Sequence, residues 1–431
     1  MLLRYPSYYK RFSCIAERCE DTCCAGWEID IDDDSYEYYM GIEGEFGERL
    51  RRNIQEYPSD GEDVYEAHGF VLKEDKRCPF LDNKGLCELY RELGEDALCD
   101  VCTDTPRNFL EYGGAREISI SAACAEAGRL IYGEAGKITF VEEEVSGEFD
   151  WEEREEEKCF AHQIRIARDW AVHILQNRKL SIERRISAFL SFAEEVQMCL
   201  NENEPEKIEK ISWERYLQYP ACKEEECYRK TALESQQYEM FLRRMVTFTR
   251  LDSVNEEWEE MLQQMQKVFV GHTEGGSSEG CGSQPAHSLA GEFPGAERRT
   301  AEGGSSKGCG SQPALVYIQG LQRLKEELAD QARLYEYEHL MVYYVFTCQA
   351  RCVDDYDFIG EAKLAVVSFL MIRDMDALRF VVKGSYEKED RIDIARIYAR
   401  EVEHSEENLE FLADEFLFEE VYRTDSLQKA L

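Results

Sequence analysis

The chain lacks the apolar segments that secretion or membrane insertion requires. Its longest apolar run, 364–372, is interrupted by Ser368 and falls well short of the roughly 20 residues that span a membrane. The first seven residues contain no apolar stretch typical of a signal peptide. We therefore expect a soluble, cytoplasmic protein with no membrane partner, in which thiols stay reduced.

Positive charge is also scarce. The 431 residues include 51 Lys and Arg against 89 Asp and Glu, which gives a net charge of −38 at pH 7. Such an excess of acidic residues leaves no basic stripe for a phosphate backbone, which argues strongly against a nucleic acid as a partner. A basic protein surface is the more natural partner.

Several catalytic signatures are missing as well. The seven histidines form no pair with the spacing of a zinc protease, so a hydrolytic zinc centre is disfavoured. No Gly-x-Gly-x-x-Gly follows a predicted strand, and Gly113-Gly114 is predicted to be a turn instead. The Cys-x3-Cys-x2-Cys run of radical S-adenosylmethionine enzymes is absent, because Cys19 and Cys23 are followed at once by Cys24.

Cysteine, in contrast, is abundant, and its positions are the most informative feature of the chain. Nine of the 17 cysteines lie in the first 124 residues: Cys14, Cys19, Cys23, Cys24, Cys78, Cys87, Cys99, Cys102 and Cys124. Thiolates bind soft metals, and closely spaced pairs reach one ion at little entropic cost. We interpret these nine residues as candidate metal ligands. Reduced, buried cysteines acting as small hydrophobic residues explain them less well.

A turn is predicted between two of these cysteines. The composition of Asp82-Asn83-Lys84-Gly85 is typical of a turn that would bring Cys78 back towards Cys87. Together with Cys99-x2-Cys102, this turn would supply four thiolates from one compact segment. Zinc and an iron-sulfur cluster both accept four thiolate ligands, so the spacing leaves the choice between them open.

The rest of the chain is predicted to be mainly α-helical. Apolar residues recur at helical spacing over 160–175 and 182–196, and two helices are predicted at 315–339 and 340–353. Short strands are predicted at 68–73 and 117–121, inside the cysteine region. A Gly- and Ser-rich stretch is predicted to be disordered because it has too little apolar surface to bury. The predicted organisation is a cysteine-rich module, a helical region, a disordered linker and a C-terminal helical region, at 1–140, 141–270, 271–314 and 315–431.

Two cysteine-containing segments, 12–32 and 78–107, resemble a known family. They look like the flagellin lysine-N-methylase (FliB-type) family, which is related to a wider group of zinc- or iron-chelating cysteine-cluster domains. The residues that carry the resemblance lie at 19–27, 29–32, 78–81, 85–87, 93–94 and 99–107. The later segment 338–345 resembles the C-terminal helical part of the family.

The resemblance implies an activity and a cofactor. It implies methyl transfer from S-adenosylmethionine to lysine side chains of flagellin, with a 4Fe-4S cluster, or zinc as the alternative, held by the N-terminal cysteines. Arg107 is a candidate to bind a carboxylate such as that of S-adenosylmethionine. Side chains that would serve as the base are Asp30, Asp32, Tyr90 and Asp104. The alternative is a metal-chelating binding protein without methyltransferase activity.

Overall fold

The computed structural model describes residues 1–19, 22, 24–25, 29–57, 68–74, 76–146, 154–218, 226–253, 255–271 and 312–431, and for 226–232 the backbone alone. These residues form two compact units. The first, called here the cysteine-rich unit, comprises Met1–Glu152, Val254–Glu256 and Ala395–Glu406. The second, called the helical unit, comprises Glu153–Ser253, Glu257–Ile394 and Glu407–Leu431.

Short elements make up the first part of the chain. The strands are β1 (Leu2–Pro6), β2 (Asp30–Ile31), β3 (Ile54–Glu56), β4 (His68–Phe70), β5 (Arg107–Tyr112), β6 (Ala115–Ile120) and β7 (Phe140–Glu144). The helices are α1 (Asp33–Gly41), α2 (Gly44–Arg52), α3 (Glu88–Leu93), α4 (Asp100–Asp104) and α5 (Ala125–Tyr132).

A four-stranded sheet has the strand order β5-β6-β1-β7. Strand β1 pairs in parallel with β6 and antiparallel with β7, and β5 and β6 form a hairpin. The hairpin turn, Gly113-Gly114, has positive φ angles of 57° and 73°, which glycine adopts without the steric cost of a side chain. The predicted turn at Gly113-Gly114 and the predicted strand at 117–121 are therefore confirmed.

A three-stranded sheet, with the order β2-β4-β3, packs in the apolar core that contains the cysteines. Its central strand β4 confirms the strand predicted at 68–73, although the strand is shorter than predicted. The buried residues of this core are Ile29, Ile31, Tyr39, Leu50, Phe70, Cys78, Phe80, Leu81, Leu89 and Cys99. Two of the predicted ligands are thus core residues.

Longer helices dominate the rest of the chain. They are α6 (Glu155–Leu175), α7 (Ile182–Asn201), α8 (Glu226–Phe248), α9 (Glu256–Met265), α10 (Gln312–Asp330), α11 (Tyr335–Thr347), α12 (Cys352–Asp355), α13 (Phe358–Lys383), α14 (Lys388–Val402), α15 (Glu406–Phe418) and α16 (Thr424–Ala430). The predicted fold class, mainly α with a few short strands near the cysteines, is confirmed. The helices predicted at 160–175 and 182–196 correspond to α6 and α7.

Buried ion pairs fix helix α13 in the helical unit. Asp374 on α13 pairs with Arg244 of α8 and accepts a hydrogen bond from the Tyr317 hydroxyl at 2.9 Å. Asp376 pairs in the same way with Arg391 and accepts from Tyr337. Each buried carboxylate therefore has a cationic partner and a hydroxyl donor, as a charge in an apolar interior requires.

One predicted helix boundary is wrong. The break predicted between 339 and 340 lies instead between α10 and α11, at residues 331–334. There the backbone turns through Ala332, with φ of 55°, and the Arg333 N–H bonds the carbonyl of Leu328 at 2.7 Å. No glycine or proline marks this turn, so the apolar periodicity alone did not reveal it.

The predicted linker at 271–314 lies outside the described residues except at its ends. Helix α10 begins at Gln312, so the last three residues of the predicted linker are helical. A Cβ added at Gly271 would lie 3.1 Å from Cγ of Pro313, which places the two ends of the segment side by side. Across the described ranges, no helix combines the length and the apolar character needed to cross a membrane.

Candidate functional site

The turn predicted between Cys78 and Cys87 is confirmed. The Asp82 carboxylate accepts the backbone N–H groups of Lys84 and Leu86 at 2.8 and 3.0 Å, and Gly85 has a positive φ of 73°. Beyond the turn, Leu81 pairs with Cys87 in an antiparallel bridge. An aspartate that bonds its own downstream backbone and a glycine that accepts positive φ are what this turn requires.

Arg49 of helix α2 fixes the loop that carries Cys78 and Cys87. Its guanidinium donates to the Pro79 carbonyl at 2.9 Å and pairs with Glu88, the residue after Cys87, at 2.6 Å. It also lies over the Phe80 ring, 5.0 Å from the ring centre. One side chain therefore holds both ends of the loop.

The pair Cys99 and Cys102 lies at the beginning of α4. Asp32 connects this helix to α1, because one carboxylate oxygen accepts the Asp100 N–H at 2.9 Å and the other caps α1 at Ser35 at 2.8 Å. The buried Tyr39 donates to the Ala97 carbonyl at 2.7 Å. The short helix is thus positioned by side chains from α1 on both sides of Cys99.

The four predicted thiols belong to or pack against one apolar core, and Cys24 packs against the same core. Burial raises the pKa of the Cys78 thiol to about 12, with further contributions from Cys24, Cys87 and Cys99. Cys102 donates a hydrogen bond to Cys99, which lowers the pKa of Cys99 and raises that of Cys102. We call these residues the first thiol set: Cys24, Cys78, Cys87, Cys99 and Cys102.

Three more of the nine cysteines form a second thiol set, Cys14, Cys19 and Cys124. Burial raises the pKa of Cys124, and the neighbouring Cys19 and Cys14 thiols add to this increase. Cys14 is exposed, and Cys19 and Cys124 are half-buried. Cys23, the remaining candidate ligand, lies outside the described residues. Cysteines that are close in sequence therefore do not always belong to the same set, since Cys19 and Cys24 belong to different sets.

The chemistry of the first thiol set suits a soft metal or a cluster. Binding requires the thiolate form. Burial raises the pKa of Cys87 and disfavours its thiolate, while the backbone N–H of Tyr90 acts in the opposite direction. At Cys99, the side chain and backbone N–H of Cys102 stabilise the thiolate and lower the pKa. Among the described residues, no three Cys, His, Asp or Glu side chains converge closely enough to hold a metal ion. The donors therefore fit the group chemically, while the ligand set predicted from Cys78, Cys87, Cys99 and Cys102 stays a prediction.

Arg107, the predicted carboxylate-binding residue, begins β5. Its guanidinium lies over the ring of Phe12, 5.3 Å from the ring centre, and its charge acts on Asp104. Phe12 is two residues before Cys14, so Arg107 belongs to the neighbourhood of the second thiol set. A role in binding S-adenosylmethionine stays a prediction.

The four candidate bases differ in their environments. Burial raises the pKa of Asp30 and of Asp104, as a carboxylate that accepts a proton near neutral pH requires. At Asp32 burial acts in the same direction, but the N–H groups of Asp100 and Ser35 prevail and lower its pKa, which weakens it as a base. Tyr90 is 52% exposed on α3.

Two residues near the end of the chain contact the segments that carry the cysteines, and no sequence pattern indicated them. Arg400 donates to the carbonyl oxygen of Thr22, and the His404 ring lies 2.8 Å from the Ser121 hydroxyl. These pairs are 378 and 283 residues apart in sequence. No local pattern, such as a cap, a turn or an apolar period, marks a contact of such separation.

The structure is that of a mainly helical protein with a thiol-rich unit. Comparison with known proteins gives its family. Residues 168–430, more than half of the chain, match the model of the FliB lysine N-methylase C-terminal domain. The chain therefore belongs to the FliB lysine N-methylase family.

Curated relatives match shorter segments. Lysine-N-methylases of Salmonella typhimurium strain LT2 and Salmonella choleraesuis are each 26% identical over 153 residues, 32% of this chain and 35% of the relative. The flagellar biosynthetic protein FliU of Salmonella muenchen is 28% identical over 127 residues, 28% of this chain and 71% of the relative. The chain thus matches about a third of the length of each lysine-N-methylase. No solved structure matches the chain.

Proposed function

We propose that this protein is a protein-lysine N-methyltransferase that transfers methyl groups from S-adenosylmethionine to lysine side chains of flagellin, in the cytoplasm before export. The match of residues 168–430 to the FliB lysine N-methylase C-terminal domain carries the proposal. Similarity to two proteins named lysine-N-methylase supports the activity, and similarity to a protein named for flagellar biosynthesis supports the substrate.

The reaction places simple demands on the protein. The uncharged ε-amine attacks the methyl carbon of the sulfonium, the N–C bond forms as the S–C bond breaks, and the nitrogen then loses a proton. A free lysine has a pKa of about 10.4, so the site needs burial or a neighbouring base to supply the neutral amine. Asp30 and Asp104 are the candidate bases whose raised pKa suits this role.

The charge of the protein suits a lysine-bearing substrate. With a net charge of −38, the protein attracts a basic surface over distances of about a Debye length, roughly 10 Å at 0.1 M salt. The apparent affinity for flagellin should therefore fall as the salt concentration rises.

We further propose that four thiols of the first thiol set hold a 4Fe-4S cluster. When bound, such a group would cross-link the turn at Asp82, the beginning of α3 and the beginning of α4 through Cys78, Cys87, Cys99 and Cys102, with Cys24 as the further donor. Zinc takes the same thiolates and is the alternative. Arg107 is proposed to bind the carboxylate of S-adenosylmethionine.

Methyl transfer tests the activity directly. The protein, purified without oxygen, is incubated with S-adenosylmethionine and its cognate flagellin, and lysine peptides are analysed by mass spectrometry. We expect methylated lysines that are absent when either the methyl donor or the protein is omitted. No added methyl mass on flagellin, with the metal site demonstrably loaded, would reject the methyltransferase and leave the metal-chelating binding protein in its place.

The cofactor has a test of its own. Iron, acid-labile sulfide and broad visible absorption in the anaerobically purified protein are expected for an iron-sulfur cluster. Stoichiometric zinc without iron or sulfide would instead favour the alternative metal, whatever the outcome of the methylation experiment.

A further inference from the structure

A short segment from near the C-terminus belongs to the cysteine-rich unit. Residues Ala395–Glu406, which cover the end of helix α14 and the turn after it, are part of this unit. The same residues fall inside the region that matches the family C-terminal domain. The family match thus assigns this segment to the C-terminal domain, whereas in the fold it belongs to the same unit as the N-terminal cysteines.

Arg400 connects this segment to the first thiol set. Its guanidinium donates to the carbonyl of Thr22, whose hydroxyl accepts the Cys24 N–H at 3.2 Å. The Cys24 carbonyl in turn accepts the Cys78 N–H at 3.4 Å. A continuous series of hydrogen bonds thus extends from a buried cation to two thiol-bearing residues.

His404, four residues later, connects the segment to the second thiol set. Its ring nitrogen lies 2.8 Å from the Ser121 hydroxyl, which also accepts the Ala123 N–H at 3.1 Å. The Ser121 carbonyl accepts the Cys124 N–H at 3.1 Å. Ser121 therefore fixes the backbone at Cys124 and is itself bonded to His404.

Buried polar contacts hold the segment in place. The Glu401 carboxylate on α14 is fully buried and accepts a hydrogen bond from Asn255 at 2.8 Å. Arg400 is 7% exposed. Burying a cation and a carboxylate is costly unless their hydrogen bonds are made, so these contacts constrain the geometry of the segment.

We propose that Arg400 and His404 are positioning residues for the thiol sites, with Arg400 holding Cys24 and Cys78 of the first set and His404 holding Cys124 of the second. This inference rests on the proposed function insofar as the thiol sites bind a cofactor. Each residue acts through one carbonyl or hydroxyl group that fixes a cysteine-bearing segment.

The test is the rate at which individual cysteines react with an alkylating reagent, read by mass spectrometry in the full-length protein. Arg400→Met should increase the labelling of Cys24 and Cys78 about tenfold, which corresponds to about 1.4 kcal/mol, near the lower end of what a hydrogen bond from a charged group contributes. His404→Phe should do the same for Cys124 and leave Cys24 and Cys78 near wild type. Bound metal per chain should fall at least twofold in Arg400→Met.

Two controls separate positioning from general destabilisation. Arg243→Met removes an exposed arginine, whose pair with Glu239 lies on the surface, and should change no labelling rate. Arg400→Lys and His404→Gln keep a polar group near the same position and should give labelling rates between wild type and those of Arg400→Met and His404→Phe. If Arg400→Met fails to fold, Arg400→Lys decides, because the loss of the planar fork should still give intermediate labelling of Cys24 and Cys78.

The experiment distinguishes failure of the positioning role from failure of the cofactor proposal. Wild-type protein without iron or zinc would refute the cofactor, while the labelling comparison in that metal-free protein would still decide on positioning. Wild-type labelling of Cys24 and Cys78 in a folded Arg400→Met or Arg400→Lys protein would overturn the role of Arg400. Equal acceleration of all described cysteines in both variants would show a structural effect only and overturn the inference.

Discussion

The cysteine-rich unit and the helical unit are stabilised in different ways. In the cysteine-rich unit, short helices and strands are fixed by single side chains that bond backbone groups, such as Asp32, Arg49 and Asp82. In the helical unit, long helices bury apolar faces and enclose charge pairs such as Arg244 with Asp374. Because the loops of the cysteine-rich unit depend on a few side-chain bonds, we expect a metal bound by thiolates, as proposed above, to contribute more to the stability of this unit than a ligand would to that of the helical unit.

The largest effect should come from removing thiols of the first set. We expect Cys99→Ser combined with Cys102→Ser to abolish metal binding and to expose 78–102 to hydrogen exchange, because structural metal binding by thiolates is worth roughly 10 kcal/mol or more. Metal analysis and hydrogen exchange by mass spectrometry would measure both. Cys159→Ser, on an exposed thiol of α6, is the matched control and should change neither. Unchanged hydrogen exchange in 78–102 after metal loss would show that the bound metal does not stabilise this part of the cysteine-rich unit.

A buried charge pair is the corresponding weak point of the helical unit. Arg244→Met removes the fully buried partner of Asp374 and leaves only the longer pair with Arg373, at 3.6 Å, which should cost about 3 kcal/mol. The melting temperature should fall, while the metal content of the thiol sites stays at the wild-type value. Arg243→Met, one residue away on the surface, should cost less than about 0.5 kcal/mol. Equal losses in the two variants would show that burial of the pair is unimportant.

One buried group in each unit should make stability depend on pH, and the two groups act in opposite directions. Burial raises the pKa of Glu361 in the helical unit to about 7, so the unfolded chain ionises first and stability falls as the pH rises from 4.5 to 7. Burial, with repulsion from Arg400, lowers the pKa of His404 to about 4, so stability of the cysteine-rich unit falls as the pH drops from 6.5 to 4. Each effect amounts to roughly 3 kcal/mol at most.

Pulsed hydrogen exchange at one fixed labelling pH, after incubation in urea at different pH values, would resolve the two units. Glu361→Gln should flatten the pH dependence of the helical unit alone, and His404→Gln that of the cysteine-rich unit alone. A variant that leaves the pH dependence of its own unit unchanged would show that the group does not titrate as described.

The smallest effect is expected from the segment between the two halves of the helical unit. Replacing 272–311 with a short Gly/Ser bridge should leave the melting temperature and methyl transfer nearly unchanged, because Gly271 and Pro313 already lie side by side. Thermal unfolding and the methylation assay would measure this. A drop of several degrees in the melting temperature would indicate that the segment packs against the protein, contrary to the disorder predicted from its composition.

The sequence predicted the turn and the closely spaced thiols of the candidate site, but it did not predict which distant residues lie beside them. Composition alone placed the turn at Asp82-Asn83-Lys84-Gly85 and grouped Cys78, Cys87, Cys99 and Cys102, because turn formation and close spacing are properties of neighbouring residues. The membership of Cys24 in the first thiol set depends on contacts with a loop more than 50 residues later. The spacing of the cysteines does not indicate that Cys24 and Cys19, only five residues earlier, belong to different sets.

The sequence by itself determined the mainly helical fold, the acidic charge and the concentration of thiols near the N-terminus, because apolar period, charge and residue type are local quantities. Only the tertiary structure decided how the thiols divide into two sets and that Arg400 and His404 reach them from hundreds of residues away. Buried polar groups must form hydrogen bonds with whichever groups lie near them in the folded protein. Neighbouring residues in the sequence do not reveal which distant residues those will be.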